Sequence, residues 1–488
     1  MIMRHLPTVL FVLYTLLHQN ICISQPLPPN AQNVDRTAVS FYDGLQTFRA
    51  LEYTVNPDPQ SQKIYRLQTL PENGFPAIRI SGTANGSTVY FEDKAPYDNM
   101  FTDNPTPYLS AEAVQLHYGF QKVMKAFDQR FGWKGIDGTG TAPIHIFIEN
   151  SDGTPDDSYA YYSSNSNTEY FAFGRGIQKS TPLFGSIDAI AHEISHAIMQ
   201  RRNNITSVPS LCAEYRSIDE GLAHVFGIYI KNNILQSSPQ NYNWLILEPV
   251  MSVPHDLGNP KGHLSADTYN GQFYLNTCSP TYTIHGGFGV VGRWFYLLSS
   301  GFAGSAINDL GYQYGNLAGL GVEKAIQIVW DAVPNIKNFT DYPGFRTLTL
   351  KATEQLYGIN STEYLAVQKA WCAVGVCDNN LSYFSLSPAN AVSGIEPWPG
   401  VKVNFSWDND PRVKKVEVQM STQYDFAVNT QTVEVSNFDM LFKPGGGLIY
   451  VGNATGYYHP GETVYLRAKI TEADANFCRS LNPLCKLY

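Results

Sequence analysis

The sequence predicts an α+β protein in three parts: a strand-rich N-terminal stretch, a helical stretch, and a small C-terminal β-sandwich. Three observations carry this. From Leu45 to Gly176, short segments such as Lys63–Leu67 and Ile144–Ile148 alternate or run apolar between turn residues. From Ile187 to Cys377, apolar residues recur at helical intervals. After Cys377 the composition shifts again: Ser387 to Gly400 reads as a linker punctuated by Pro388, Pro397, Pro399 and Gly400, and evenly spaced strand-like runs follow it.

Taken in order, residues 1–24 have the make-up of a secretory signal. Arg4 and His5 precede the apolar run Thr8 to Leu17, and Ser24 offers a small residue before Gln25. That run is too short to cross a bilayer, and no later segment reaches about 20 apolar residues, so the expected location is extracellular. The strand-rich part, 25–180, is broken by one helix from Ala111 to Phe131, with Val114, Leu116, Tyr118, Val123, Ala126 and Phe127 at helical spacing. The helical part, 181–380, holds candidate helices at Ile187–Arg201, Ser217–Asn232, Gly289–Ser300, Val322–Val333, Phe345–Tyr357 and Thr362–Gly375. The last opens on the capping signal Ser361-Thr362-Glu363. In the sandwich, 390–488, strands are expected at Val401–Trp407, Val413–Met420, Thr430–Val435, Leu448–Val451 and Thr463–Ile470, which suits a fibronectin-III-like domain.

A formal net charge of −9 with only 15% charged residues argues against nucleic acid or an anionic membrane as partner. Cys212, Cys278, Cys372, Cys377, Cys478 and Cys485 follow the signal, an even set that favours disulfides in an exported chain. Short separations suggest Cys372–Cys377 and Cys478–Cys485, leaving Cys212–Cys278; buried free thiols are the alternative.

The chemistry concentrates in His192-Glu193-Ile194-Ser195-His196. Its flanks, Ile187–Ala191 and Ala197–Met199, are almost wholly apolar, which predicts a buried helix. At about 100° per residue, His192 and His196 share one face about 40° apart, and Glu193 lies about 60° from His196. Two imidazoles so placed hold a zinc ion, and the carboxylate can act as base toward a water between them. Buried ionisable groups are costly unless something satisfies them. A third protein ligand is then required. Met199 and Arg202 stand where a metzincin would need glycine and histidine, so that option fails. Downstream glutamates remain: Glu220 near the start of the next predicted helix is favoured over Glu214 in the preceding loop.

These residues resemble the thermolysin-like metallopeptidases. The approach Asp188-Ala189-Ile190-Ala191-His192-Glu193 looks like the entry to that family's zinc helix, and Ile218-Asp219-Glu220 resembles its glutamate helix. Ile284-His285-Gly286-Gly287-Phe288-Gly289 resembles the segment with the second catalytic histidine, and Ala370–Val376 the closing helix. Ser158–Tyr162 with Phe173-Gly174 is similar to the strand that holds substrate backbone. The resemblance implies a two-lobed catalytic unit over roughly Leu45 to Cys377, with the zinc helix at the junction of a mostly β lobe and an α-helical one. It implies one catalytic zinc on His192, His196 and Glu220, with Glu193 as general base and His285 on the oxyanion. Ala160 would bind an extended protein or peptide substrate through its main chain.

The chain also departs from the family. His224 stands where an aspartate orients the first zinc histidine; it could accept the same hydrogen bond, or itself be a ligand. Pro280 replaces an aspartate expected before the catalytic histidine, and no substrate-clamping arginine is evident near Pro249-Val250-Met251. Leu211 matches the tyrosine that assists the oxyanion, although Tyr215 lies close by. Asp188 matches a calcium-ligand position, but Lys231 stands where a second carboxylate is expected, so the main calcium site should be lost. A Cys212–Cys278 bridge would stand in for it by rigidifying the cleft. The expected function is a secreted zinc endopeptidase. The rival is a zinc-containing binding or adhesion protein whose peptidase fold has lost turnover. The sandwich would contact a surface or substrate, or serve only as a spacer.

Overall fold

The computed structural model describes residue 28 and residues 30–377 apart from 56–61, 85–86, 95–96, 98–100, 102–109, 149–159, 165–168, 175–182, 206–213, 239–240, 252, 275–286 and 360; beyond 377 it describes the backbone of seven strands between 384 and 473. The signal-like segment, Cys212, Cys278, Cys478, Cys485, Leu211, Pro280 and His285 fall outside the described residues. The chain forms two compact units that interleave: residues up to 201 with 223–256, and 202–222 with 257–488.

The first unit contains β1 (Gln32–Ser40), β2 (Gly44–Thr54), β3 (Lys63–Arg66), β4 (Ile78–Ala84), β5 (Ser87–Tyr90), β6 (Glu92–Asp93), β7 (Ile144–Ile148), β8 (Ala160–Ser164) and β9 (Glu169–Phe173). They make a four-stranded sheet, β1-β2-β3-β6, and a five-stranded sheet, β5-β4-β7-β9-β8. Strand β7 buries Ile144, Ile146 and Ile148 in strict alternation and runs parallel to both β4 and β9. Helix α1 (Ser110–Phe131) buries all six apolar positions expected of it. Gln121 clips it to β2, accepting from Arg49 N–H at 3.0 Å and donating to Arg49 O at 3.0 Å.

Helix α2 (Ile187–Asn203) approaches α1 at Gly119, where a Cβ would collide with Ile190. Helix α3 (Tyr215–Ile234) is continuous across the division at Leu222–Ala223. Its later half packs in the first unit, with Gly227 set so close to the Asp188 carbonyl that a Cβ would lie 2.9 Å from it. A short ribbon, β10 (Leu245–Ile246) and β11 (His255–Asp256), completes this unit, with Ile246 opposite His255.

In the second unit, α4 (Gly289–Ser300), α5 (Val322–Ala332), α6 (Tyr342–Tyr357) and α7 (Thr362–Ala373) surround an aromatic core. Trp294 stacks on Trp371 at 4.4 Å, Phe345 meets Trp371 edge-on, and the Trp371 indole donates to Thr349 Oγ1 at 2.9 Å. Ser361 caps α7 by accepting from Tyr364 N–H, as its sequence signal indicated. Asp341 does the same for α6 through Gly344 N–H, which starts that helix three residues earlier than apolar periodicity alone predicted. The Cys372–Cys377 disulfide ties the last turn of α7 to the residues just after it.

One element contradicts the helical expectation for this stretch. Strands β12 (Phe302–Ile307) and β13 (Gln313–Leu317) form a hairpin. Asn308 locks its turn, accepting from Leu310 and Tyr312 N–H and donating to the carbonyls of Cys372 and Ala373. Strand β1, upstream of the expected start at Leu45, was also unforeseen. The C-terminal strands β14 (Phe384–Ser385), β15 (Gly400–Phe405), β16 (Val413–Ser421), β17 (Gln431–Ser436), β18 (Phe442–Lys443), β19 (Gly446–Gly452) and β20 (Tyr465–Ala473) pair as β14-β20-β16-β17 and β15-β19-β18.

Candidate metal centre

Helix α2 buries its polar residues on the face expected to hold a metal. His192 and Glu193 are 9% and 6% exposed, and His196 is half-buried. The Nε2 atoms of His192 and His196 lie 3.1 Å apart, with the rings edge-to-face at 4.7 Å. Two nitrogens bound tetrahedrally to one zinc at ordinary bond lengths would be about 3.3 Å apart, so the pair is spaced as co-ligands are. Ser195 is satisfied within the helix, donating to Ala191 O at 2.6 Å.

On α3, Glu220 and His224 stand one turn apart on the same face. Among the described residues, His192, Glu220 and His224 form the one group of three whose ligand atoms all lie within 4.8 Å of one another, and all three are buried. Imidazole nitrogen with carboxylate oxygen is a donor set that suits zinc. The structure therefore brings His192 to His196 on one side and to Glu220 with His224 on the other.

His224 lies in contact with two other histidines. Its ring lies edge-on to His192 at 4.8 Å, and its Nε2 is 2.8 Å from Nδ1 of His255, on which it stacks at 5.1 Å. Sequence reasoning missed His255. It lies in a two-residue strand, too short for any periodic signal, and 31 residues from its partner.

Asp188 is almost wholly buried and fully engaged. One oxygen accepts from Ser186 Oγ and from its neighbour's Ala189 N–H. The other accepts from Leu247 N–H at 2.9 Å and from the Lys231 ammonium at 3.2 Å. Lys231 also donates to the Leu245 carbonyl, so one ammonium ties α2, α3 and β10 together.

Glu214, the other candidate ligand, has its oxygens occupied. They accept from the hydroxyls of Tyr269 (3.0 Å) and Tyr274 (2.8 Å) and from Tyr342 N–H (3.0 Å), and burial holds its carboxyl above the usual range. Tyr215 opens α3 as a buried residue whose hydroxyl donates to Asp219. Ala160 begins β8, at the end of the five-stranded sheet, opposite Phe173.

Comparison with known proteins agrees with this layout. Residues 52–200 match the pattern described as thermolysin metallopeptidase, catalytic domain, and residues 214–376 match thermolysin metallopeptidase, alpha-helical domain. A bacillolysin from Bacillus cereus is 25% identical over 331 residues, covering 61% of this chain and 52% of that protein. A transglutaminase-activating metalloprotease from Streptomyces mobaraensis is 23% identical, over 65% of this chain and 40% of its own length. Thermolysin from Bacillus sp. (strain EA1) is 25% identical, over 58% and 48%. The chain thus spans about half the length of the curated relatives it matches. Among solved structures, the precursor of protealysin, a metalloproteinase from Serratia proteamaculans, overlaps with a TM-score of 0.43 at 18% identity, covering 66% of this chain and 91% of that one. The two matched regions together cover more than half of the chain, which belongs to the thermolysin family of zinc metallopeptidases.

Proposed function

We propose that the protein is an extracellular zinc endopeptidase in which His192, His196 and Glu220 hold the ion. The observation that carries this is the 3.1 Å approach of two imidazole nitrogens on a buried helix, one residue from Glu193, in a chain of this family. Zinc, when bound, supplies Lewis acidity and eases the loss of a proton from water at neutral pH. Glu193 takes the proton of the attacking water on its carboxylate and passes it to the leaving amine nitrogen. His285 donates a hydrogen bond to the carbonyl oxygen as negative charge grows there. Ala160, on an edge strand, pairs its main chain with an extended peptide. The C-terminal strands form a fibronectin-III-like sandwich that attaches the enzyme to a surface or a substrate, and residues 1–24 direct export.

A second reading is a zinc-containing binding protein with little turnover. The buried contact of His224 with His192, where the family's pattern has an aspartate, favours it. One experiment separates the two. The full chain and Glu193→Gln are tested against a quenched peptide library, with zinc measured in each. The peptidase reading expects about one zinc in both, and cleavage by the parent that falls at least roughly a hundredfold in the variant. Zinc in both with no cleavage by either leaves the binding reading.

The residues around Asp188 do not fit calcium. A cation there would meet the Lys231 ammonium already paired to the carboxylate, so the protein is proposed to do without that ion.

A further inference from the structure

We infer that His255 is a positioning residue: by accepting a hydrogen bond from His224 Nε2–H, it fixes His224 as the Nε2–H tautomer and leaves a bare lone pair on its Nδ1. This rests on the reading of His192 as a zinc ligand. His224 Nε2 lies 2.8 Å from His255 Nδ1. A bond between two neutral imidazoles needs one N–H and one lone pair, so the contact selects a tautomer on each ring. If His255 donates, His224 is left with a proton on Nδ1 and nothing to offer a metal or a ligand's N–H. If His224 donates, its Nδ1 keeps a lone pair.

The surroundings favour the second arrangement. His224 is buried, its ring meets His192 edge-on at 4.8 Å, and its ligand atom falls within 4.8 Å of those of His192 and Glu220. His192 directs Nε2 toward His196, so when Nε2 ligates, its Nδ1 carries the proton and needs an acceptor. A lone pair on His224 can bind an ion held by this group, which an N–H in its place would repel. Metal-bound histidines commonly lean on a carboxylate or a carbonyl; here the support is a stack of two imidazoles, with His255 as its outer member. The ribbon that carries His255 is itself anchored, since β11 pairs with β10 and Lys231 holds the Leu245 carbonyl.

Two measurements test this. Ring ¹⁵N spectra of the zinc-free full chain, assigned with His224→Gln, should show the His224 proton on Nε2; a proton on Nδ1 overturns the assignment. Zinc affinity, measured by competition with a chromophoric chelator, should fall roughly 10–100-fold in His255→Ala. In His255→Asn, whose side-chain oxygen can accept the same hydrogen bond, it should return to within a few-fold of the parent. Matched thermal melts confirm that both variants are folded. An His255→Ala protein that is folded and binds zinc as tightly as the parent overturns the positioning role. If His192→Asn binds zinc as tightly as the parent, the ligand reading fails instead, while the ¹⁵N result still decides the tautomer.

Discussion

His117 lies in α1, wholly buried, with Nε2 2.8 Å from the Arg49 carbonyl and Phe48 edge-on to its ring. Burial pushes its pKa down to about 4 in the folded protein. An unfolded histidine titrates near 6.5, so between these values the unfolded chain binds the extra proton. The stabilisation is therefore present above about pH 6.5 and is lost as the pH falls toward about 4, by up to roughly 3 kcal/mol. Denaturant unfolding of the parent and His117→Leu at pH 7 and pH 5 should show a steeper loss for the parent; equal losses would refute this. Glu214 belongs to the same scale. Glu214→Gln replaces one acceptor oxygen by an amide that cannot receive all three donors, and should cost about 1–3 kcal/mol of stability by the same measurement.

Among elements, the contact of α2 with α3 governs the site. Gly227→Ala would gain up to about 1 kcal/mol of helix propensity. It would also place a methyl 2.9 Å from the Asp188 carbonyl and 2.8 Å from Ile246 Cδ1, and backbone yields little. Overpacking of this kind costs about 1–3 kcal/mol, so a lower unfolding midpoint is expected in calorimetry. The helices were largely legible in the sequence because each carries a long apolar period, as with Val114 to Phe127 on α1, and α7 carries a cap besides. The hairpin β12–β13 was not, because it is exposed on much of its surface and its turn is set by the side chain of Asn308 rather than by a buried stripe. The pentad was legible as a motif of fixed spacing, and Glu220 as a carboxylate near the start of the next predicted helix. His255 was not, since nothing local marks a partner brought in from another part of the chain.

For the molecule as a whole, the Lys231–Asp188 pair predicts indifference to calcium. The melting temperature should be the same in calcium-free, zinc-containing buffer and after calcium chloride is added, whereas a rise on addition would restore a calcium site. Lys231→Met would strand a buried carboxylate and cost about 3–5 kcal/mol, read as a fall in that temperature. The lysine was visible in the sequence only as a mismatch to a family pattern. That it reaches both Asp188 and the Leu245 carbonyl required three elements to be folded together.

The interleaving of the two units also sets an order in time. The first unit draws on residues up to 201 and again on 223–256. During synthesis, its strands and α1 exist long before the later half of α3 and the β10–β11 ribbon that complete it. Residues 202–222, which belong to the second unit, pass through in between. His192 and His196 are thus made well before His224 and His255, and an emerging chain holds a partial set of imidazoles until residue 256 is in place. The pentad is therefore made before the rest of the metal-binding group, and a chain halted before α3 has it without the residues that complete that group.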